Sequence, residues 1–230
     1  MTSKQDSSKE LNVTPGKMLG KGGNSTCYQL KQQNKVLLVH SSGFATNPSQ
    51  IIKSEKEKYK IINNLPKQVN IVRMHNVGLY KGKAALVLEK APGKEIHQLN
   101  PSYKTWNEEL EILKNAPQNA YDQLVADVLI AAEAGLEIDP SKPTNFFYDT
   151  KTNTFTLIDL NLDSKATVEV LSVPLIWTAV LFSKHKKRLT PQNTDQIKQI
   201  IHKLNNSLQS LHKVTKTEKK MQKQILDFLP

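Results

Sequence analysis

Residues 134–162 carry the feature that most restricts this chain. A helical pattern stops at Gly135, and a loop then presents Asp139, Lys142 and Asn145. Two short apolar runs, 146–148 and 155–158, flank a polar turn at 149–154, the pattern of a β-hairpin. A second acid, Asp159, follows the second run. Two carboxylates and one carboxamide therefore converge on the mouth of a small hairpin. Such an oxygen-rich set holds a divalent cation and a hydroxyl beside a phosphate.

The chain ahead of this stretch reads as strands around one helix. Residues 17–19 lead into Gly20-Lys21-Gly22-Gly23-Asn24-Ser25, and 26–30 form a second strand. A turn at 32–34 precedes the apolar run 36–39, which completes an antiparallel meander. The glycine-rich turn joins two strands and opens no helix, which argues against a Walker loop or a dinucleotide-binding fingerprint. Residues 48–63 place Ile51, Ile52, Tyr59, Ile61 and Ile62 mostly on one helical face. Glu55 lies in the middle of that face and requires a cationic or donor partner. Strands are expected at 70–74 and 84–88, around a turn at 81–83, before 89–93 breaks the pattern. Helices are expected at 106–114, through Tyr121, Leu124, Val125, Val128, Leu129 and Ala132, and through Ile197, Ile200, Ile201, Leu204, Leu208 and Leu211. The apolar run 173–182 reads as a buried helix of about half a membrane span, and 218–229 as a short closing helix.

Taken in order, these motifs resemble the catalytic core of the protein kinase superfamily. The catalytic loop of that family, H-R-D-L-K-P-x-N, corresponds to Glu137-Ile138-Asp139 and Lys142-Pro143-Thr144-Asn145, and its D-F-G to Asp159-Leu160-Asn161. The resemblance implies Asp139 as the hydroxyl-orienting acid, Lys142 as a clamp on the transferred phosphoryl group, and Asn145 and Asp159 as Mg²⁺ ligands. It implies that Gly20, Gly22, Gly23 and Ser25 fold over the ATP phosphates. Glu55 becomes the acid of the nucleotide-facing helix, and the Glu89 carbonyl and Ala91 amide become the adenine contacts of an extended linker. His40 stands where the third strand of the family ends in lysine, with Lys21 and Lys31 as other sources of charge. The loop departs from the family by one residue, since Asn145 follows Asp139 by six positions. Ile138 replaces the arginine that grips a phosphorylated activation loop, so the resemblance implies no control of that kind.

The expected architecture is α+β, a truncated two-lobe kinase-like fold. A flexible leader spans 1–12. An N-lobe of small antiparallel sheet plus one helix spans 13–90, and a reduced, mainly helical C-lobe with a basic C-terminal region spans 91–230. The formal net charge is +11, and the segment from Lys184 onward holds 11 Lys/Arg against 3 Asp/Glu. Its densest point, Lys184-His185-Lys186-Lys187-Arg188, reads either as a solvated helical face or as a surface for acidic protein or membrane phosphate, and the sparse aromatics argue against nucleic acid. A single cysteine, Cys27, excludes an intramolecular disulfide framework. No run is long enough to span a membrane, and the N-terminus lacks a secretory signal. Compact, switch-free kinases of this kind are similar to effectors that bacteria secrete into the host cytoplasm, including the HopBF type. That similarity implies an ATP- and Mg²⁺-dependent Ser/Thr kinase acting on a host protein, a chaperone or a ubiquitin-pathway protein. The alternative is a pseudokinase or partner-activated binding module.

Overall fold

The structure is a computed structural model, and it describes residues 9–31, 34–41, 47–95, 103–138, 145–162 and 190–211. It is an α+β protein that divides into two compact units, Met1–Asn64 with Val72–Lys90, and Leu65–Ile71 with Ala91–Pro230. The helices expected at 173–182 and 218–229 and the basic cluster at 184–188 lie outside the described residues. Among the described residues no helix is long and apolar enough to cross a membrane.

The first unit is an antiparallel sheet with one inserted helix. Strands β1 (Pro15–Lys21), β2 (Ser25–Leu30), β3 (Lys35–His40), β4 (Met74–Tyr80) and β5 (Lys83–Glu89) lie in the order β1-β2-β3-β5-β4. Helix α1 (Pro48–Asn64) enters between β3 and β4 and packs on β4 and β5. Alternation along β3 turns Leu37 and Val39 to one face, where they bury with Leu11, Leu30, Ala85 and Val87. Val36, Leu38 and His40 take the opposite face. Residues 9–11 run along the outer side of β4, with the Leu11 amide on the Leu79 carbonyl at 2.7 Å and the Leu79 amide on the Lys9 carbonyl at 3.1 Å. This strap covers one edge of the sheet. It requires Gly78, where an added Cβ would stand 2.4 Å from the Lys9 carbonyl oxygen.

Helix α1 begins with Asn47, whose side chain accepts from the Ser49 amide at 3.0 Å, followed by Pro48. Its last turn carries no basic residue. Instead the Arg73 guanidinium donates to the Ile62 carbonyl, Asn63 Nδ2 donates to the Met74 carbonyl at 3.2 Å, and the Tyr59 hydroxyl donates to the His75 carbonyl at 3.1 Å. Arg73 and the first two residues of β4 thus satisfy or bind the end of the helix.

The second unit holds α2 (Tyr103–Asn115), α3 (Gln118–Glu133) and α4 (Pro191–Leu211). Strands β6 (Lys94–Glu95), β8 (Phe146–Asp149) and β9 (Thr154–Leu157) form one small sheet, and β7 (Leu136–Ile138) pairs with β10 (Leu160–Leu162). Helix α4 opens with a reciprocal cap. The Asn193 amide donates to Thr190 Oγ1 at 3.2 Å, and the Thr190 amide returns to Asn193 Oδ1 at 3.3 Å, with Pro191 between. Ile197, Ile200, Ile201, Leu204 and Leu208 form its buried stripe. Helix α3 stops as the sequence predicts, with Gly135 at φ +82° and its amide on the Ala132 carbonyl at 2.9 Å. Its inward side chains meet the hairpin, where the rings of Tyr121 and Tyr148 lie 5.3 and 4.6 Å from that of Phe155.

One expected strand is displaced. Strand β4 starts at Met74, whereas 70–74 was expected to be extended and paired. Residues 65–71 belong to the second unit, although the sequence places 13–90 in one lobe. The cause is a buried carboxylate. Asp127 on α3 accepts from the Asn70 amide at 3.1 Å and from Asn70 Nδ2 at 2.9 Å, while the Leu157 amide donates to the Asn70 carbonyl at 2.9 Å. Leu65, Val69 and Ile71 are buried there.

Candidate functional site

In the second unit, backbone pairing sets two of the expected positions, Asn145 and Asp159, at one end of the β8–β9 hairpin. The Ile158 amide donates to the Asn145 carbonyl at 2.9 Å, so Asn145 is fixed beside the residue that precedes Asp159. Ile138 pairs with Leu160 across β7 and β10, so the residue before position 139 lies opposite the residue after Asp159. Asp139 and Lys142 themselves lie outside the described residues. Asn145 is buried at 3% exposure, whereas Asp159 is exposed. The backbone of Asp159 is left-handed, at φ +53°. Aspartate tolerates this region better than most side chains. Among the described residues no three His, Cys, Asp or Glu side chains form a metal-holding group. The side chains of Asn145 and Asp159 each carry an oxygen donor, the atom type that Mg²⁺ accepts.

In the first unit the glycine-rich turn and His40 come together. Ser25 pairs with His40, and the Ser41 amide donates to the Asn24 carbonyl at 2.8 Å. The Gly22 amide closes the turn on the Ser25 carbonyl at 2.8 Å. Gly20 pairs with Cys27, and Cys27 with Leu38, which lines these residues up across one face. A Cβ on Gly20 or Gly23 would meet nothing within 4 Å, and neither residue is left-handed. Packing and conformation thus do not demand glycine there, which leaves a flexible turn or close approach from outside as the physical uses of the missing side chain. Burial pushes the Cys27 thiol above its ordinary pKa, which disfavours the reactive thiolate. Lys21 is exposed at the turn, but Lys31 follows the far end of β2, where its amide donates to the Thr14 carbonyl at 3.3 Å. The structure therefore removes Lys31 as a source of charge at the turn.

Glu55 is buried on α1 at 9% exposure, as its place among the isoleucines predicts. Its Oε2 lies 3.0 Å from Lys58 Nζ, a charge contact without hydrogen-bond alignment. Lys58 was not singled out by the sequence. The linker residues are split by the division of the chain after Lys90. Glu89 ends β5 with its amide on the Arg73 carbonyl at 2.9 Å, its carboxylate on the Arg73 amide at 3.4 Å, and His75 Nε2 3.9 Å away. Ala91 is half-buried and opens the second unit. Two residues on, Gly93 has φ +78°, and a Cβ there would stand 2.2 Å from the Tyr148 carbonyl oxygen. That close turn sets Lys94 and Glu95 against β8. Glu95 is a further acid that the sequence pattern does not single out. It is half-buried, and desolvation raises its carboxyl above the ordinary range. The only signal for it is an acid two residues after Gly93.

An open groove of ≈ 510 Å³ also exists in the second unit, lined by Glu108, Glu111, Ile112, Asn115, Tyr148 and Asn153 among others. It lies at the turn end of the hairpin, opposite Asn145 and Ile158, and holds none of the expected residues. No known protein family model matches the chain, and no curated protein matches it.

Proposed function

We propose that this chain is an ATP- and Mg²⁺-dependent phosphotransferase of the protein kinase type, with a truncated two-lobe fold and a Ser or Thr of another protein as acceptor. The observation that carries the reading is the backbone knot at the hairpin base. The Ile158–Asn145 hydrogen bond and the Ile138–Leu160 pairing bring the segments leading to Asp139, Asn145 and Asp159 to one place. The order of elements supports it, with a glycine turn between β1 and β2, an acid-bearing helix between β3 and β4, and a linker after β5. Asn145 and Asp159 would hold the metal, whose charge would neutralise the phosphate oxygens. Asp139 would orient the acceptor hydroxyl, and Lys142 would steady the group in flight. Positioning and charge supply most of the catalysis in such a transfer. The setting of a bacterial effector acting on a host protein rests on the sequence resemblance alone.

The test is transfer of labelled γ-phosphate by the purified chain to itself or to lysate proteins, with Asp159→Asn as the decisive variant. Asparagine tolerates a left-handed backbone, so the substitution removes the charge and keeps the fold. Activity should fall at least about 100-fold, with a melting temperature within a few degrees of wild type. No transfer by the wild type, or equal transfer by the variant, overturns the reading. His40 at the strand-end position favours a second reading, a nucleotide-binding module without transfer. That module would show a thermal shift with ATP and Mg²⁺ but no labelled product.

A further inference from the structure

We propose that Lys58 is the phosphate-binding cation of this chain, meeting the polyphosphate of a nucleoside triphosphate from α1 instead of from β3. The inference rests on the phosphotransferase reading above. Helix α1 carries four lysines, and Lys53, Lys56 and Lys60 are exposed. Lys58 is different, since its side chain is only 14% exposed. It follows Glu55 by three positions and precedes Ile62 by four, which sets it on the inward face. Ile51, Ile52 and Ile62 keep the rest of that face apolar.

A lysine on such a face is costly unless its charge and its three N–H donors are satisfied. Glu55 supplies the charge at 3.0 Å, but its Oε2 receives no aligned hydrogen bond. Among the described residues no acceptor aligns with the Lys58 ammonium. The pair is therefore half complete, with an anion partner in place and donors still to spend. An anionic oxygen beside it completes the set, and phosphate supplies that oxygen. The helix that delivers Lys58 is fixed from the next residue through the following turn, where His75, Arg73 and Met74 engage Tyr59, Ile62 and Asn63. The ammonium is thus presented by a pinned element. A purely structural role explains less, because an apolar pair on this face would cost nothing in desolvation.

The experiment is titration of the full chain with ATP and Mg²⁺, and separately with adenosine, by calorimetry and thermal shift. Lys58→Met should weaken ATP binding at least about tenfold and leave adenosine binding unchanged, whereas Lys58→Arg should stay within about threefold of wild type. Lys53→Met, on the exposed face, should match wild type. Removing one partner strands Glu55, so the double variant Glu55→Gln with Lys58→Met is also measured. It should regain the lost melting temperature but not the lost ATP affinity, and it replaces the single variant if that one does not fold. ATP binding by wild type and by the Lys58 variants with equal affinity overturns the assignment and leaves the phosphotransferase reading standing. No ATP binding by wild type overturns both.

Discussion

Tyr121 shows how one residue couples to the stability of its surroundings. Burial, with a smaller contribution from Tyr148, raises its phenol far above the ordinary tyrosine range. Its hydroxyl donates to the Leu113 carbonyl at 2.7 Å, and Lys203 Nζ lies 5.9 Å from its ring centre. An unfolded tyrosine ionises at about pH 10. Above that pH the unfolded chain has released a proton that the folded chain retains. The stabilisation is therefore complete below about pH 10 and is lost as pH climbs beyond it. Alkaline titration followed by tyrosinate absorbance and circular dichroism should show Tyr121 ionising only as helical signal disappears. Its replacement by Phe should delete that coincident step, and a Tyr121 that ionises in the native protein would contradict the argument. At this scale legibility was uneven. Gly135 was readable as a helix stop because glycine at that place has one common use. The left-handed Asp159 was not, because aspartate permits that conformation without requiring it. Lys58 was passed over because helical lysines ordinarily face water, and only its spacing from Glu55 hints at the inward face.

Helices α2 and α4 meet through charge-assisted contacts that neither sequence segment reveals alone. Lys203 Nζ donates to the Lys114 and Ala116 carbonyls at 2.5 and 2.6 Å, closing the end of α2 from outside. Upstream, Gln196 Nε2 donates to Glu111 Oε2 at 2.6 Å and Asn193 Nδ2 to Asn107 Oδ1 at 2.8 Å. Hydrogen bonds from charged groups contribute about 1.5–3 kcal/mol. Lys203→Met should therefore lower unfolding free energy by roughly that amount, read from the denaturant midpoint, with faster amide exchange at the end of α2. An unchanged midpoint would remove Lys203 from the account of α2. The long helices and the β8–β9 hairpin were legible because each repeats its apolar pattern over several turns or pairs. Strands β6, β7 and β10 span two or three residues each, too short for a period to register. The expected strand at 70–74 begins before β4 because the β-branched Ile71 and Val72 read as strand residues. Ile71 instead bridges Leu157, far along the chain.

The chain passes between its two units three times, after Asn64, after Ile71 and after Lys90. A cut between Lys90 and Ala91 should therefore leave one particle. The N-terminal fragment would still hold Leu65–Ile71, whose three buried aliphatic side chains contribute roughly 1.5–3 kcal/mol each before ordering costs. Asn70 adds its two bonds to Asp127. A cleavable sequence introduced there should give fragments that co-elute under native conditions and part in denaturant. Separation without denaturant would show that the segment is not held as described. The order of elements was legible across most of the described chain, and so was the glycine turn. The assignment of 65–71 was not, since no local pattern announces a partner some 60 to 90 positions away. That separation also bears on how the protein is made. When the ribosome has released β5, the link between α1 and β4 has no cover, because Asp127 and Leu157 do not yet exist. Val69 and Ile71 stay bare until the hairpin is synthesised, and this interval is where a nascent chain would meet a chaperone.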